Sequence, residues 1–248
     1  MNLVLFRNEE VGAEGHIQLT GVRADELIQQ HELAAGLKLK AGALGYGRGS
    51  LEVLEAGPGV LNAQLLHVTP SLPRQPVVWI VAVPRPQAVK RILFNAAMLG
   101  IEAVHFIRSE RTDKNYLKSQ ALKADSIQEE LFLGAAQAGD SEIPEVYVHD
   151  RFLGFIEDVL PSVVGKHSQT GLYLADTVAG ITSIDAEKKY GKVKRFLFAV
   201  GPELGWNEFE REQWGKAGAQ PISLGERILR VDAACVALFW RVAILQSG

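Results

Sequence analysis

Apolar residues among the first seventy positions occur in short runs separated by glycines and polar residues, a pattern typical of strands and tight turns. The stretch 24–33 instead has helical character. The segment 69–76 contains three prolines, which cannot continue a strand ladder. This pattern predicts a small β-barrel-like module with one helix that ends at the proline-rich connector. The predicted strands are 2–6, 17–19, 37–44, 51–54 and 60–68.

After the connector, strands and helices alternate. Residues 77–83 form an uninterrupted apolar run, as expected of a strand buried on both faces. Repeated strand–helix alternation predicts an α/β fold with a largely parallel sheet. We therefore expect two domains, 1–72 and 73–248. The predicted strands of the second are 77–83, 103–107, 145–148, 172–175, 196–200 and 221–224, and its predicted helices are 86–100, 117–138, 152–160, 207–217 and 232–245.

Composition narrows the class of protein. With 248 residues, 47% hydrophobic and 22% charged residues, the chain is neither disordered nor fibrous. Its net charge of −3 gives no overall nucleic-acid signature, and the longest uncharged stretch, 56–73, is too rich in prolines for a membrane span. The only cysteine, Cys235, excludes an internal disulfide and a cysteine-based zinc site. We expect no metal, no membrane association and a cytoplasmic location.

Two glycine-containing turns stand out because each follows a predicted strand and precedes a predicted helix. The first reads Gly-Pro-Glu-Leu-Gly at 201–205, and the helix after it has Asn207 and Glu210 at the positions of a capping box. The second, 224–230, reads Leu-Gly-Glu-Arg-Ile-Leu-Arg. Ligands of open α/β sheets bind beyond the carboxyl ends of strands, where glycine lets the backbone approach closely. Together the turns predict a ligand site.

The two segments resemble the paired C-terminal motifs of the ribosomal small-subunit RNA uridine N3-methyltransferases, a family of the SPOUT class. That family usually has Gly-Pro-Glu-Gly-Gly in the first motif and Leu-Gly-x-Arg-Ile-Leu-Arg-x-Glu-Thr-Ala in the second. The resemblance covers nearly all of 74–248, including Pro84-Arg85-Pro86 and Ser109-Glu110-Arg111. It implies a trefoil-knotted α/β domain with a parallel sheet, preceded by a small PUA-like β-barrel that binds RNA.

The resemblance also implies S-adenosylmethionine as methyl donor, 16S ribosomal RNA of the small subunit as substrate, and a homodimer. It places RNA contacts at Arg85, Arg111, Lys114, Gln137 and His31. The donor is expected between the two turns. The implied donor-binding residues are Leu174, Ala175, Gly201, Pro202, Glu203, Leu204, Gly205, Leu224, Gly225, Ile228, Leu229 and Arg230.

The chemistry suggests further roles. Methylation of uracil N3 requires loss of the imide proton, and negative charge then spreads onto the O2 and O4 carbonyls. A fixed guanidinium stabilises such charge, so Arg230 and Arg227 are candidate catalytic residues, with Arg111 as a further contributor. Asp232 stands at the family's glutamate position and is a candidate base, although an acidic residue at a helix start is also favoured by the helix dipole.

The sequence departs from the family at Leu204, which replaces a glycine, and at Ala136, Gly139 and Glu32, where glutamate and basic residues are common. A glycine with positive φ replaced by leucine would strain the first turn. Two alternatives therefore stay open beside uridine N3 methylation of 16S RNA. One is a SPOUT methyltransferase with another RNA target, and the other is a non-catalytic RNA-binding or assembly protein. A nicotinamide dehydrogenase fits poorly, because no Gly-x-Gly-x-x-Gly follows an early strand.

Overall fold

Two β-sheets organise the part of the chain that the structure describes. The structure is a computed structural model and describes residues 3–176 and 193–246, with side chains of the last helix up to Arg241. Its described residues form two compact units. The first comprises those within Met1–Arg74, Ala97–Gly100 and Leu131–Ile143, and the second those within Gln75–Ala96, Ile101–Glu130 and Pro144–Gly248. These units are discontinuous in sequence, unlike the two linear segments 1–72 and 73–248 of the prediction.

The first unit contains a five-stranded sheet in the order β1-β3-β4-β5-β2, with one helix, α1 (Val22–His31). The β1–β3 pair is parallel and the other pairs are antiparallel. Apolar side chains from the strands and the helix, including Phe6, Ile17 and Leu27, form its core. The predicted strands and helix are all present, with shifted ends. The strands are β1 (Val4–Phe6), β2 (His16–Thr20), β3 (Lys38–Ala43), β4 (Gly47–Gly57) and β5 (Val60–Thr69).

Strand β4 is longer than the predicted 51–54 because its glycine-rich start pairs closely with its neighbours. Gly49 lies opposite Ala41 of β3, and a Cβ atom at Gly49 would lie 2.3 Å from the carbonyl oxygen of Leu66. Glycine here permits a close backbone approach that no larger residue allows. In the sequence the same glycines are typical of a turn, and for this reason the first part of the strand was not predicted.

The second unit is built on a six-stranded sheet in the order β11-β9-β10-β6-β7-β8, in which every pair is parallel. This confirms the predicted α/β fold with a parallel sheet. Central strand β10 is buried at every position, consistent with helices covering both faces. The strands are β6 (Gln75–Ala82), β7 (Ile101–Ile107), β8 (Glu145–His149), β9 (Thr170–Ala175), β10 (Arg195–Val200) and β11 (Gln220–Ile222).

The helices differ from prediction at two places. The predicted helix 117–138 begins only at Ala124, because Ser119 and Lys123 have extended backbone angles and separate two short 3₁₀ turns from it. The predicted helix 152–160 contains a π-helical stretch, Phe155–Val159, and resumes with Pro161 in its first turn, since proline cannot donate the usual hydrogen bond. The helices are α2 (Pro86–Met98), α3 (Ala124–Ala138), α4 (Phe152–Gly154), α5 (Leu160–Gly165), α6 (Glu208–Lys216) and α7 (Val231–Gln246). None of the helices within the described ranges is long and apolar enough to cross a membrane.

Candidate functional site

Three neighbouring strands, β11, β9 and β10, end at the same edge of the parallel sheet, and a cavity of about 530 Å³ lies beyond their carboxyl ends. Loops that leave these strands make most of its wall, as the rule for open α/β sheets predicts. The wall consists of Ala175, Asp176, residues 200–206, Arg211, residues 222–225, residues 227–231 and Ala234.

The structure brings together all but one of the predicted donor-binding residues in this wall. Ala175, Arg230 and both glycine turns line the cavity. Leu174 does not, because neighbouring residues of a strand face opposite sides of the sheet. Its side chain is buried in the apolar core with Leu172 and Ala199. The Leu174 side chain is therefore part of the apolar core, and a contact of its backbone with the donor stays a prediction.

The first loop, 201–205, is bent at its second glycine. Gly205 has φ +67° and its N–H donates to the Pro202 carbonyl at 2.8 Å. Leu204 has a negative φ and is 72% exposed, so the leucine causes no backbone strain. The expected conflict at Leu204 is absent because Gly205 alone carries the left-handed bend.

Neighbouring segments hold this loop in place. The Arg111 guanidinium donates to the Leu204 carbonyl at 2.7 Å, and the Arg85 backbone N–H donates to the Glu203 carboxylate at 3.1 Å. Beneath the loop, the Trp206 side chain is 1% exposed and packs edge-on against Trp214. The loop is thus bonded from two directions and rests on an aromatic core.

The predicted capping box at the start of α6 is present. The Glu210 N–H donates to Asn207 Oδ1 at 2.7 Å, and the Asn207 N–H donates to Glu210 Oε2 at 3.0 Å. The Glu210 carboxylate also accepts the Glu110 N–H at 2.9 Å, and the Asn207 amide donates to the Glu110 side chain. This cap therefore ties the segment after β7 to the segment after β10.

The second loop, 224–230, has a different character. Gly225 has φ +106° and accepts a long hydrogen bond of 3.4 Å from the Ser223 hydroxyl. Residues 225–230 are all exposed, with Ile228 84% exposed. Apolar and cationic side chains therefore stand in solvent beside the cavity, where a ligand would cover them.

The candidate catalytic residues separate into two groups. Arg227 and Arg230 line the cavity, whereas Asp232 does not. The Asp232 carboxylate instead accepts a hydrogen bond of 2.6 Å from Arg91 Nε, and its other oxygen lies 3.5 Å from Arg230 Nε. This geometry favours a role in orienting arginines over the role of a base.

The candidate RNA-binding residues are divided between the two units. Arg85, Arg111 and Lys114 are exposed in the second unit, where Arg111 is engaged by the first loop. Gln137 and His31 belong to the first unit. Burial lowers the pKa of His31, with smaller contributions from nearby positive charges, and this disfavours the imidazolium that would pair with a phosphate.

Two of the other departures from the family motif have local structural reasons. Ala136 is fully buried in an apolar cluster with Leu5 and Phe132, where a glutamate would be costly. Gly139 has φ +72°, which favours glycine, and its carbonyl accepts a hydrogen bond from Arg48. Glu32 is exposed in a left-handed conformation after α1, and nothing in the structure explains the choice of glutamate there.

Sequence reasoning missed two charged residues of the cavity wall, Asp176 and Arg211. Arg211 Nε donates to Asp176 Oδ2 at 2.5 Å. Asp176 immediately follows β9, so the rule that ligands bind at carboxyl ends of strands was the signal that could have found it. Arg211 lies one turn inside α6 and carried no such signal.

Comparison with known proteins identifies the family. A family model described as an RNA methyltransferase domain matches residues 70–243. The chain belongs to the RNA methyltransferase family. Its two glycine loops and the cavity between them lie within the matched range, and the family predicted from those loops is confirmed.

Comparison with individual proteins narrows the family assignment. The ribosomal RNA small subunit methyltransferase E of Treponema pallidum (strain Nichols) is 29% identical over 245 residues, which cover 96% of this chain and 89% of the relative. The protein of that name from Synechocystis sp. (strain ATCC 27184 / PCC 6803 / Kazusa) is 30% identical over 233 residues, covering 88% of this chain and 72% of the relative. The chain is thus a member of the family that carries this name.

Among solved structures, a ribosomal RNA small subunit methyltransferase E from Neisseria gonorrhoeae bound to S-adenosyl methionine shares the fold. Its TM-score is 0.78 at 19% identity, with 98% of each chain covered. At 19% identity this similarity shows a shared fold and no more. It covers residues of both units of the chain.

Proposed function

We propose that this chain uses S-adenosylmethionine to methylate N3 of a uridine in 16S ribosomal RNA of the small subunit. The observation that carries the proposal is the cavity at the carboxyl ends of β9, β10 and β11, which is bounded by the two glycine loops. Its volume of about 530 Å³ falls within the range of small-molecule sites. The related proteins named above are methyltransferases of the same RNA, which supports the reaction and the substrate.

The lining of the cavity suits this donor. Glycines and aliphatic residues such as Ala175 and Leu224 leave backbone groups to meet an adenine, and the left-handed bends at Gly205 and Gly225 allow close approach. A Cβ atom at either glycine would meet no atom within 4 Å, so both loops have room beside them. When bound, S-adenosylmethionine supplies an electrophilic methyl carbon on a sulfonium.

Residues of the chain then act on the uracil. Uracil N3 becomes a nucleophile when its proton leaves to water, which places negative charge on O2 and O4. Transfer of the methyl group from the sulfonium to N3 would then remove this charge and release S-adenosylhomocysteine. Arg227 and Arg230 stand in the cavity wall and are the cations that stabilise this charge. The Asp232 carboxylate accepts a hydrogen bond from Arg91 and lies 3.5 Å from Arg230, so we assign it to charge pairing with these arginines rather than to removal of the proton.

The proposal includes the architecture and assembly expected for the family. We assign residues 1–72 to a PUA-like RNA-binding barrel and residues 73–248 to a trefoil-knotted SPOUT domain in a cytoplasmic homodimer. The last helix supports dimerisation, because it is almost entirely apolar in sequence while Trp240 is 53% exposed in the single chain. An apolar helix with an uncovered face requires another surface to bury it.

The test is methylation of small ribosomal subunits and of free 16S RNA by the purified protein with isotope-labelled donor. Mass spectrometry of the nucleosides should show labelled 3-methyluridine. Label on another nucleoside would favour a different RNA target. Donor binding measured by calorimetry separates the remaining alternative, because a non-catalytic RNA-binding protein that has lost the donor site would bind RNA without binding the donor.

A further inference from the structure

A carboxylate and a guanidinium face each other in the cavity wall, outside both glycine motifs. Asp176 follows β9, and its N–H donates to the Ile222 carbonyl at 3.1 Å. Its side chain is 6% exposed and accepts the hydrogen bond of 2.5 Å from Arg211 Nε. Arg211 is thereby fixed at the cavity by a partner that is itself anchored to the neighbouring strand.

The bond to Asp176 uses one of the five N–H donors of the guanidinium. Within residues 3–176 and 193–246, the two terminal nitrogens of Arg211 have no hydrogen-bonding partner, and the side chain is 35% exposed. The remaining donors are therefore available at the cavity in a fixed orientation. Arg230 differs, since it is 69% exposed and its carboxylate contact is 3.5 Å long.

The two reactants differ in when they carry negative charge. The methyl donor has one anionic group, the α-carboxylate of its methionine portion, and this charge is present before reaction. Uracil becomes anionic only as N3 loses its proton. A preoriented guanidinium suits a permanent carboxylate, which it binds through paired N–H donors. The exposed arginines of the second loop suit a charge that develops after RNA has docked.

We propose that Arg211, oriented by Asp176, binds the α-carboxylate of the methyl donor. The inference rests on the proposed function and extends it to a specific part of the donor. It makes the Asp176–Arg211 pair a determinant of which adenosine compounds the cavity accepts. Compounds with an amino-acid tail gain a charge-assisted hydrogen bond, whereas those without it do not.

The experiment compares binding of S-adenosylhomocysteine with binding of 5′-methylthioadenosine, a thioether that lacks the amino-acid tail. Calorimetry is carried out on the wild-type chain and on Arg211→Met. We expect the variant to bind S-adenosylhomocysteine about tenfold more weakly, while its affinity for methylthioadenosine changes less than about twofold. Lys216→Met is the matched control, because Lys216 lies on the same helix, pairs with Glu212 on the surface and is not among the residues that line the cavity.

Asp176→Asn provides a second variant in case Arg211→Met folds poorly. It should weaken S-adenosylhomocysteine selectively but by less, because Arg211 keeps its charge and loses only its orientation. An equal loss for both compounds, or no loss for either, would overturn the inference and leave the pair a purely structural contact. If the wild-type chain binds neither compound nor S-adenosylmethionine, the proposed function fails instead.

Discussion

The two loops that face each other across the cavity are built in opposite ways. The first, 201–205, is bonded by Arg111 and Arg85 and rests on buried Trp206. The second, 224–230, is exposed from Gly225 onward, and Arg230 at its end is 69% exposed. The first loop is therefore held in place by contacts with other segments of the folded chain. The second loop makes few contacts with the described residues and is free to adjust.

We infer from this difference that the two loops have different roles in ligand binding. A preformed wall binds a ligand without first losing conformational freedom, which suits a donor that must enter before every turnover. An exposed wall becomes ordered when a ligand covers it, so its side chains can respond to docking of RNA. We expect changes in the first loop to act on stability and changes in the second to act on catalysis.

The largest effect on stability is expected for Trp206→Ala. This change removes a side chain that is 1% exposed and packs against Phe152 and Trp214, and it should lower the free energy of unfolding by about 3–5 kcal/mol. Urea denaturation measures it. Leu204→Ala in the loop above Trp206 is the control and should change stability by about 0.5 kcal/mol or less, because Leu204 is 72% exposed. Similar losses of unfolding free energy in the two variants would show that Trp206 does not support the first loop.

The largest effect on catalysis is expected for Arg230→Met. In the proposed mechanism Arg230 stabilises charge only in the transition state, so its loss should lower kcat by about 10²–10³ and leave donor affinity nearly unchanged. Single-turnover methylation with saturating donor gives the rate, and calorimetry gives the affinity. Arg227→Met, made in parallel, ranks the two arginines of the cavity wall. A parallel loss of donor affinity would place Arg230 in ground-state binding and remove the contrast between the loops.

Much of this arrangement could be predicted from local sequence. The apolar run of β6, the capping box of Asn207 and Glu210, and the glycine turns at strand ends each depend on neighbouring residues. They therefore left patterns that could be recognised before the fold was known. The all-parallel order of the second sheet follows from the same alternation of strands and helices.

Contacts between residues distant in sequence left no such pattern. The bond between Arg111 and Leu204 joins positions 93 residues apart, and that between Arg91 and Asp232 joins positions 141 residues apart. Both give Arg111 and Asp232 structural partners that the motif could not show, while the roles suggested for these residues stay predictions. The positive φ of Gly205 rather than of Leu204 likewise depends on the folded loop, since either residue stood at a plausible bend.

A smaller effect is expected for Gly205→Ala, which tests the bend of the first loop. A Cβ atom would meet open space, so the cost comes only from φ +67° and should be about 1–2 kcal/mol. Thermal unfolding measures the loss of stability, and calorimetry measures the accompanying change in donor affinity. Gly215→Ala in α6 is a control without positive φ or a close neighbour. An unchanged midpoint for Gly205→Ala would mean that the loop relaxes freely and resembles the second loop.

Removal of the helix cap should cost about 1 kcal/mol. Asn207→Ala deletes the acceptor of the Glu210 N–H and the donor to Glu110, and it leaves the fold of α6 otherwise intact. Because the cap connects the segments after β7 and β10, protection of the 201–205 amides against hydrogen exchange should fall as well. Asn207→Ser restores a capping oxygen without the amide and should recover most of the stability. Equal stability of both variants would show that the bond to Glu110 matters more than the cap.

The smallest effect is expected for Leu204→Gly, which restores the residue usual in the family. If Leu204 obstructed the donor, its removal would increase affinity several-fold. The structure argues otherwise, because the leucine is 72% exposed, has negative φ, and is held through its backbone carbonyl rather than its side chain. Donor affinity should therefore stay within about twofold, while stability falls by up to about 1 kcal/mol from the added freedom of glycine in the unfolded chain. Calorimetry measures the donor affinity and thermal unfolding measures the stability, both on one preparation. A marked gain in donor affinity would show that the Leu204 side chain partly blocks the donor site.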